Sequence, residues 1–185
     1  LNAPDTLGSG WTEHRAHRGA KASAQAERAE RCLVRYPDRD TLLFVHFIDP
    51  HFPYMEADKY RSAFAGEAPV ELPDRVRHTH AKAAYEAAQT DEERAAIRQY
   101  LIDRYDQNIL AVDAAVGRLL TKVGDSAVVA LFSDHGEEFW EHGGFEHGHS
   151  MYEELTRVPM MIRAPGIDPS RVQVPASLLD LVPTL

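Results

Sequence analysis

Three features of the 185-residue chain predict an α/β fold. Two short apolar runs each end in a burst of polar, ligand-type residues. A long amphipathic helix lies between them, and a third apolar run closes before Pro165-Gly166. Strand, long helix, strand is the cadence of a sheet with helical cover, and crossovers of that kind are right-handed and favour parallel pairing.

From about Trp11 to Arg35 the sequence is rich in Ala, Glu, Arg and Gln. These are good helix formers, and Pro37 stops them, so a surface helix is expected. Thr41-Leu42-Leu43-Phe44-Val45-His46-Phe47 is nearly continuous apolar sequence bounded by Asp40 and Asp49-Pro50. It fits a strand buried on both faces. The stretch from Met55 to His80 mixes Pro, Gly, Asp and charge with little periodicity. It reads as an irregular excursion, a lid or substrate-facing loop, with His78 and His80 at its end. Then comes the strongest helix signal. Thr90 and Glu93 are spaced as a capping box, and Ile97, Leu101, Tyr105, Ile109, Val112, Val116, Leu119, Leu120 and Val123 follow in steps of mostly three and four. Gly124 stands where a C-terminal cap belongs. Ala127 to Phe132 reads as a second buried strand running into Ser133-Asp134-His135-Gly136, and Val158 to Ile162 is a third apolar run.

Composition narrows the function classes. With 20 Lys and Arg against 29 Asp and Glu the formal charge is 20 − 29 = −9. That argues against a nucleic-acid binder driven by phosphate neutralisation. At 44% hydrophobic and 26% charged residues the chain carries enough apolar material for one sizeable core. No repeat, low-complexity segment or long polar linker divides it. No apolar run approaches the roughly 18 residues that span a bilayer. Leu1-Asn2-Ala3-Pro4 lacks the regions of a signal peptide, and the compartment stays open. A first residue other than Met points to a piece of something longer. Cys32 has no second thiol to pair with, and its helical setting suggests a structural role.

Asp49 and His51 follow the first apolar run; Asp134 and His135 follow the second. In open α/β sheets ligands bind outside the carboxyl ends of strands, so this placement is informative beyond residue type. Asp134 could equally cap a turn and His135 be a satisfied core histidine. The neighbourhood weighs against that: Gly136 allows close backbone approach, and a second histidine-rich stretch, His142-Gly143-Gly144-Phe145-Glu146-His147-Gly148-His149, follows closely. A carboxylate with an imidazole is compatible with Ca²⁺, Mg²⁺, Mn²⁺ or Zn²⁺. The His spacing does not match the zinc-protease helix, and one cysteine argues against a structural zinc site. No Gly-x-Ser-x-Gly elbow and no phosphate-cradling Gly-rich loop occurs. Ligands without a nucleophile suggest half a site.

Several landmarks occur together and in order. They are Phe44-Val45-His46-Phe47-Ile48-Asp49-Pro50-His51-Phe52-Pro53-Tyr54; Tyr105-Asp106-Gln107-Asn108-Ile109 with Val112-Asp113 and Val116-Gly117; Ser133-Asp134-His135-Gly136-Glu137 with Glu141-His142-Gly143; and His147-Gly148 with Met151-Tyr152-Glu153-Glu154 and Arg157-Val158-Pro159. Together with the closing Leu179 to Leu185 they resemble the sulfatase family of the alkaline phosphatase superfamily, from about Trp11 to the last residue. The resemblance implies a three-layer α/β/α sandwich with a mostly parallel or mixed central sheet. In that frame residues 1–185 are a single partial catalytic domain whose N-terminal strands are missing.

Residue by residue, the resemblance implies that Asp134 and His135 ligate one divalent metal, Ca²⁺ ahead of Mg²⁺, Mn²⁺ and Zn²⁺. His51 would contact the ester group or leaving oxygen. His147 would sit on the sulfate oxygens, with His149 as its competitor for that substrate contact, while His46 and His142 would be structural. The family's nucleophile, a Cys or Ser matured to formylglycine in a Cys/Ser-x-Pro-x-Arg motif, lies upstream of these landmarks and is absent from this sequence. Cys32, followed by Leu33-Val34-Arg35, cannot stand in for it. The expectation is therefore metal-dependent hydrolysis of a small sulfate ester, with the nucleophile lacking from this chain and the 185 residues inactive alone. Two alternatives stand beside it: a phosphodiesterase, phosphonate hydrolase or phosphoethanolamine-type transferase of the same superfamily, and a non-catalytic fragment.

Overall fold

A computed structural model describes residues 21–35, 40–55, 58–64, 66–73 and 75–185. In chain order its elements are α1 (Ala22–Arg35), α2 (His78–Ala87), α3 (Asp91–Val123), β1 (Val129–Phe132), β2 (Glu138–Phe139), β3 (Phe145–Glu146), α4 (Glu153–Thr156), β4 (Met160–Arg163) and α5 (Leu181–Thr184). Short 3-10 turns occur at Asp58–Tyr60 and Leu178–Asp180. The sequence expected the first helix to begin near Trp11; that stretch and Pro37 lie outside the described residues.

The 33 residues of α3 organise the rest. Thr90 Oγ1 accepts from the Glu93 amide at 3.1 Å, and Glu93 Oε2 accepts from the Thr90 amide at 3.3 Å, which closes the expected capping box. Asp91, Glu92 and Glu93 put negative charge at the positive end of the helix dipole. At the other end Gly124 has φ of 67° and donates its amide to Leu120 O, ending the helix where expected.

Two hydrophobic clusters share this helix. Near its start, Ile97 and Leu101 pack with Phe52, Tyr54, Val76, Ala81, Ala88, Phe139 and Phe145. Toward its end, Ala115 meets Ala22 and Ala26 of α1, flanked by Phe47, Val112 and Leu119. So α1 is amphipathic, burying an alanine stripe and keeping its charges outside; Arg118 reaches back to Glu30 at 3.0 Å. Between the clusters the seam of α3 is polar. Arg104 and Asn108 are buried there, while Ile109, expected in the apolar stripe, is 42% exposed. The Arg104 guanidinium donates to Tyr54 O at 2.8 Å, and Asn108 Nδ2 donates to Arg104 O at 2.8 Å. Those bonds offset the cost of burying polar groups at positions that periodicity would fill with apolar ones.

The two later apolar runs form strands, but β1 is only half-buried rather than buried, Val128, Met161 and Ile162 are exposed, and the two pair with one another antiparallel, from Val129 opposite Arg163 to Phe132 opposite Met160. A second, short antiparallel ladder sets Glu138 opposite Glu146 and Phe139 opposite Phe145. No parallel ladder occurs among the described residues. The run Thr41 to Phe47 corrects the sequence expectation. It joins no ladder with a described residue, and Leu42 and Phe44 are 80% and 58% exposed rather than buried on both faces. An apolar pattern says which side chains favour burial; the backbone that would pair with them is set by the tertiary path. Helix α2, rich in alanine, is an element that the periodicity passed over.

Candidate active site

Three histidines from separate segments meet beside the first cluster. His51 lies in the turn after the Thr41–Phe47 run, His135 directly after β1, and His147 directly after β3. The His135 and His147 rings stack with centroids 3.9 Å apart, and His51 meets His147 edge-on at 4.9 Å and His135 at 6.4 Å. In each ring Nδ1 faces an oxygen that can only accept: Phe52 O for His51, Gly136 O at 2.8 Å for His135, and Glu137 Oε1 at 2.9 Å for His147. Each Nδ1 must therefore carry a hydrogen, which leaves Nε2 as the nitrogen free to accept a proton or ligate.

The local sequence dictates these positions. Ser133 Oγ donates to His135 O at 2.7 Å, and the Gly136 amide donates to Leu155 O at 2.8 Å, pinning the loop against α4. A Cβ on Gly136 would fall 2.0 Å from Glu154 O, so no other residue fits that approach. Trp140 and Glu146 both take left-handed φ, 62° and 68°, an uncommon conformation for non-glycine residues that turns the chain on either side of β3.

Two adjacent carboxylates at the start of this loop each hold an imidazole. Glu137, with its side chain 4% exposed, bridges His147 Nδ1 and the Tyr54 hydroxyl, which donates to Oε2 at 3.1 Å. Burial first, and then the neighbouring Glu137 carboxylate, push the Tyr54 pKa far above its ordinary 10.0. Burial pushes Tyr105 beside it up to about 12. Glu138 is fully buried. Its Oε1 accepts from the amides of His142 at 3.1 Å and Gly144 at 2.7 Å; its Oε2 accepts from His149 Nε2 at 2.8 Å and Ser150 Oγ at 3.3 Å. Burial alone would raise its pKa, but the bonds from His149, Gly144 and His142 outweigh it and hold the carboxyl below the usual range. His149 thus turns to Glu138 and not to the three clustered rings. A Cβ on Gly144 would lie 1.9 Å from His149 Nε2 and block that contact.

Asp134 and His135 fit a divalent cation by donor type and spacing. Asp134 Oδ1 and His135 Nε2 are 3.9 Å apart and face solvent. At metal–ligand distances of about 2.0–2.6 Å, two such atoms can share one ion. Glu138, His142 and Glu154 also form a group whose ligand atoms lie within 4.8 Å of one another. There, however, His142 Nδ1 already pairs with Glu154, and both oxygens of Glu138 are occupied by donors. This second group holds the loop together; its His142 ring also stacks on Tyr152 at 3.6 Å. His46 is exposed and away from the cluster, with its carbonyl accepting from Gln25. The holding role of Glu137, Glu138 and Tyr54 was missed in the sequence. The signal available was a Glu-Glu pair ten and eleven residues before His147 and His149.

Comparison with known proteins gives the class. The sulfatase family model matches residues 10–185. The choline-sulfatase of Rhizobium meliloti (strain 1021) is 30% identical over 164 residues, 80% of this chain and 31% of that protein. The uncharacterized sulfatase YidJ of Escherichia coli (strain K12) is 35% identical over 78 residues, 40% of this chain and 16% of that protein. Among solved structures, BT4656 in complex with its substrate D-glucosamine-2-N,6-O-disulfate superposes with a TM-score of 0.59 at 19% identity, covering 83% of this chain and 44% of that one. The fold is alkaline phosphatase-like, as in such neighbours. Within that class the chain belongs to the sulfatase family, whose members are metal-dependent. It spans 31% and 16% of the two curated relatives named.

Proposed function

We propose that this chain supplies the metal and leaving-group side of a site that hydrolyses a small sulfate ester. The observation that carries the reading is the meeting of His51, His135 and His147 from three segments, each with Nδ1 anchored and Nε2 free. His135 and Asp134 would hold one divalent cation, Ca²⁺ by preference, which when bound polarises ester oxygens and stabilises charge growing on them. Beside it, His147 faces the sulfuryl oxygens with a ring fixed by Glu137, so its donor or acceptor direction needs no reorganisation as charge develops. His51, edge-on to His147, is placed to steady the departing oxygen and to exchange a proton with it through Nε2. His149, bound to Glu138, helps to hold the loop that carries His147. The nucleophile, a formylglycine, would come from residues outside these 185, within a complete three-layer α/β/α sandwich of which this chain is the later part.

The test is turnover by the complete, matured protein with Ca²⁺ present. Hydrolysis of p-nitrophenyl sulfate, lowered at least about 100-fold by His51→Ala or His147→Ala, is expected; general acid–base partners contribute on that order. Turnover of phosphodiesters or phosphonates without any aryl sulfate would move the assignment to the phosphoryl-transfer relatives.

A further inference from the structure

Tyr54 links two of the three clustered histidines through its two ends. It stands three residues beyond His51 in the chain, and its carbonyl accepts from the buried Arg104 guanidinium at 2.8 Å, which ties the segment that carries His51 to the middle of α3. At the other end its hydroxyl donates to Glu137 Oε2 at 3.1 Å, while His147 Nδ1 donates to Oε1 of the same carboxylate at 2.9 Å. Between those ends the ring meets Phe52 edge-on at 4.8 Å and Tyr105 at 5.5 Å, and lies 6.1 Å from Phe139. Phe52 follows His51, and Phe139 comes two residues after Glu137. The ring is thus wedged between chain neighbours of the two residues that it connects.

Packing alone does not call for a tyrosine here. The aromatic cluster around this ring is otherwise served by Phe52, Phe139 and Phe145, and a buried hydroxyl must find a partner. That partner is the carboxylate behind His147. Glu137 is buried as well, and among the described residues its two oxygens have one donor each. Without the Tyr54 hydroxyl, Oε2 is a buried charged oxygen with no donor, which costs more than the bond itself. The carboxylate then turns toward water or another donor and takes Oε1 away from the imidazole. The tautomer and direction of the His147 ring are set by that bond.

We propose that Tyr54 is a positioning residue for the reaction: through Glu137 it fixes the ring of His147, and through its own backbone it keeps that ring in register with His51. The inference rests on the sulfatase reading above and deepens it by naming a residue behind the reacting groups whose hydroxyl sets their geometry. The direction of His147 matters most as charge grows on the sulfuryl oxygens, so the loss falls on kcat and not on KM. A misplacement of about 1 Å at such a group costs on the order of 100-fold.

The test uses the complete, matured protein with Ca²⁺ present. Tyr54→Phe is expected to lower kcat for p-nitrophenyl sulfate at least about tenfold with KM within about threefold. Tyr105→Phe removes the neighbouring buried hydroxyl, which gives Glu137 no hydrogen bond, and should leave kcat within about twofold. In a His147→Ala background Tyr54→Phe should cost less than about twofold more, because the group that it positions is gone. Glu137→Asp keeps the charge but is one methylene too short to reach both partners; it should reproduce the fall in kcat, and it serves as a second route if the phenylalanine variant does not fold. A readout without substrate is the His147 Nδ1–H resonance of ¹⁵N-histidine-labelled protein, identified by its loss in His147→Ala. It should be sharp in wild type and broadened by exchange in Tyr54→Phe. An unchanged resonance, or an equal loss of kcat with and without His147, would overturn the proposal. Broadening in a protein that turns over no aryl sulfate would keep Tyr54 as the residue that positions His147 and sink only the sulfatase reading.

Discussion

Replacing Glu138 by Gln tests whether one buried carboxylate holds the loop that carries His147. The exchange keeps shape and removes charge. Four donors converge on that carboxylate: two backbone amides, one imidazole and one hydroxyl. A hydrogen bond to a charged group contributes about 1.5–3 kcal/mol and a neutral one about 0.5–1.5, so each retained bond loses roughly 1 kcal/mol. The Gln amide also presents hydrogens toward His149 Nε2, which must then give up its own. A net loss of about 2–4 kcal/mol follows, read as a lower urea midpoint at unchanged m. A second signature is acid dependence. The folded carboxyl titrates below its ordinary 4.5, so its contribution is complete above pH 4.5 and is lost as pH falls below that value. Wild type should therefore lose stability on acidification in that window more steeply than Glu138→Gln. Amide hydrogens of His142 and Gly144 should exchange faster in the variant. A variant within about 0.5 kcal/mol of wild type, with the same acid slope, would refute the reading of Glu138 as the loop's anchor.

Three further outcomes are expected. Gly136→Ala forces a Cβ to within 2.0 Å of a backbone oxygen and should cost about 1–3 kcal/mol or more, whereas Gly117→Ala on α3, with nothing within 4 Å, should gain about 0.5–1 kcal/mol; thermal melts of the two should move in opposite directions. Tyr54 keeps its proton in the fold above the ordinary 10.0, so its stabilising contribution is present below pH 10 and is lost as pH rises beyond it; Tyr54→Phe should flatten that alkaline limb and, by leaving Glu137 Oε2 without its donor, cost about 1–3 kcal/mol at neutral pH. Ca²⁺ at about 100 times its Kd should raise wild-type stability by about 2.7 kcal/mol and leave Asp134→Asn unmoved; equal stabilisation of both would place the cation elsewhere.

How far the sequence could be read depended on the distance between cause and effect along the chain. The ends of α3 were legible because Thr90, Glu93 and Gly124 act within one turn of the backbone they cap. The clustered histidines His51, His135 and His147 stand out in the sequence as residues following apolar runs or crowded among glycines. Antiparallel pairing of β1 with β4 was not, since strand direction depends on the path through the intervening loop and α4. Nor was the buried Arg104, whose partner is a carbonyl 50 residues away. The roles of Glu137 and Glu138 were hidden for the same reason. Each reaches its histidine only after the chain has turned through Gly143 and the left-handed Trp140 and Glu146.

The alanine contact between α1 and α3 has a consequence for the order in which the molecule opens. Ala22, Ala26 and Ala115 bury one methyl each, against the large aromatic and aliphatic side chains that surround Ile97 and Leu101. At about 0.8 kcal/mol per buried carbon, the first contact stores far less free energy than the second. Helix α3, about 50 Å long, therefore joins a weakly held end to a strongly held one. Release of α1 becomes a partial opening well below the global unfolding free energy, one that loosens Asp49, whose carboxylate accepts the Ala22 amide at 2.7 Å two residues before His51. Fluctuations of α1 can in this way reach the segment that carries His51 without disturbing the aromatic core around Ile97 and Leu101.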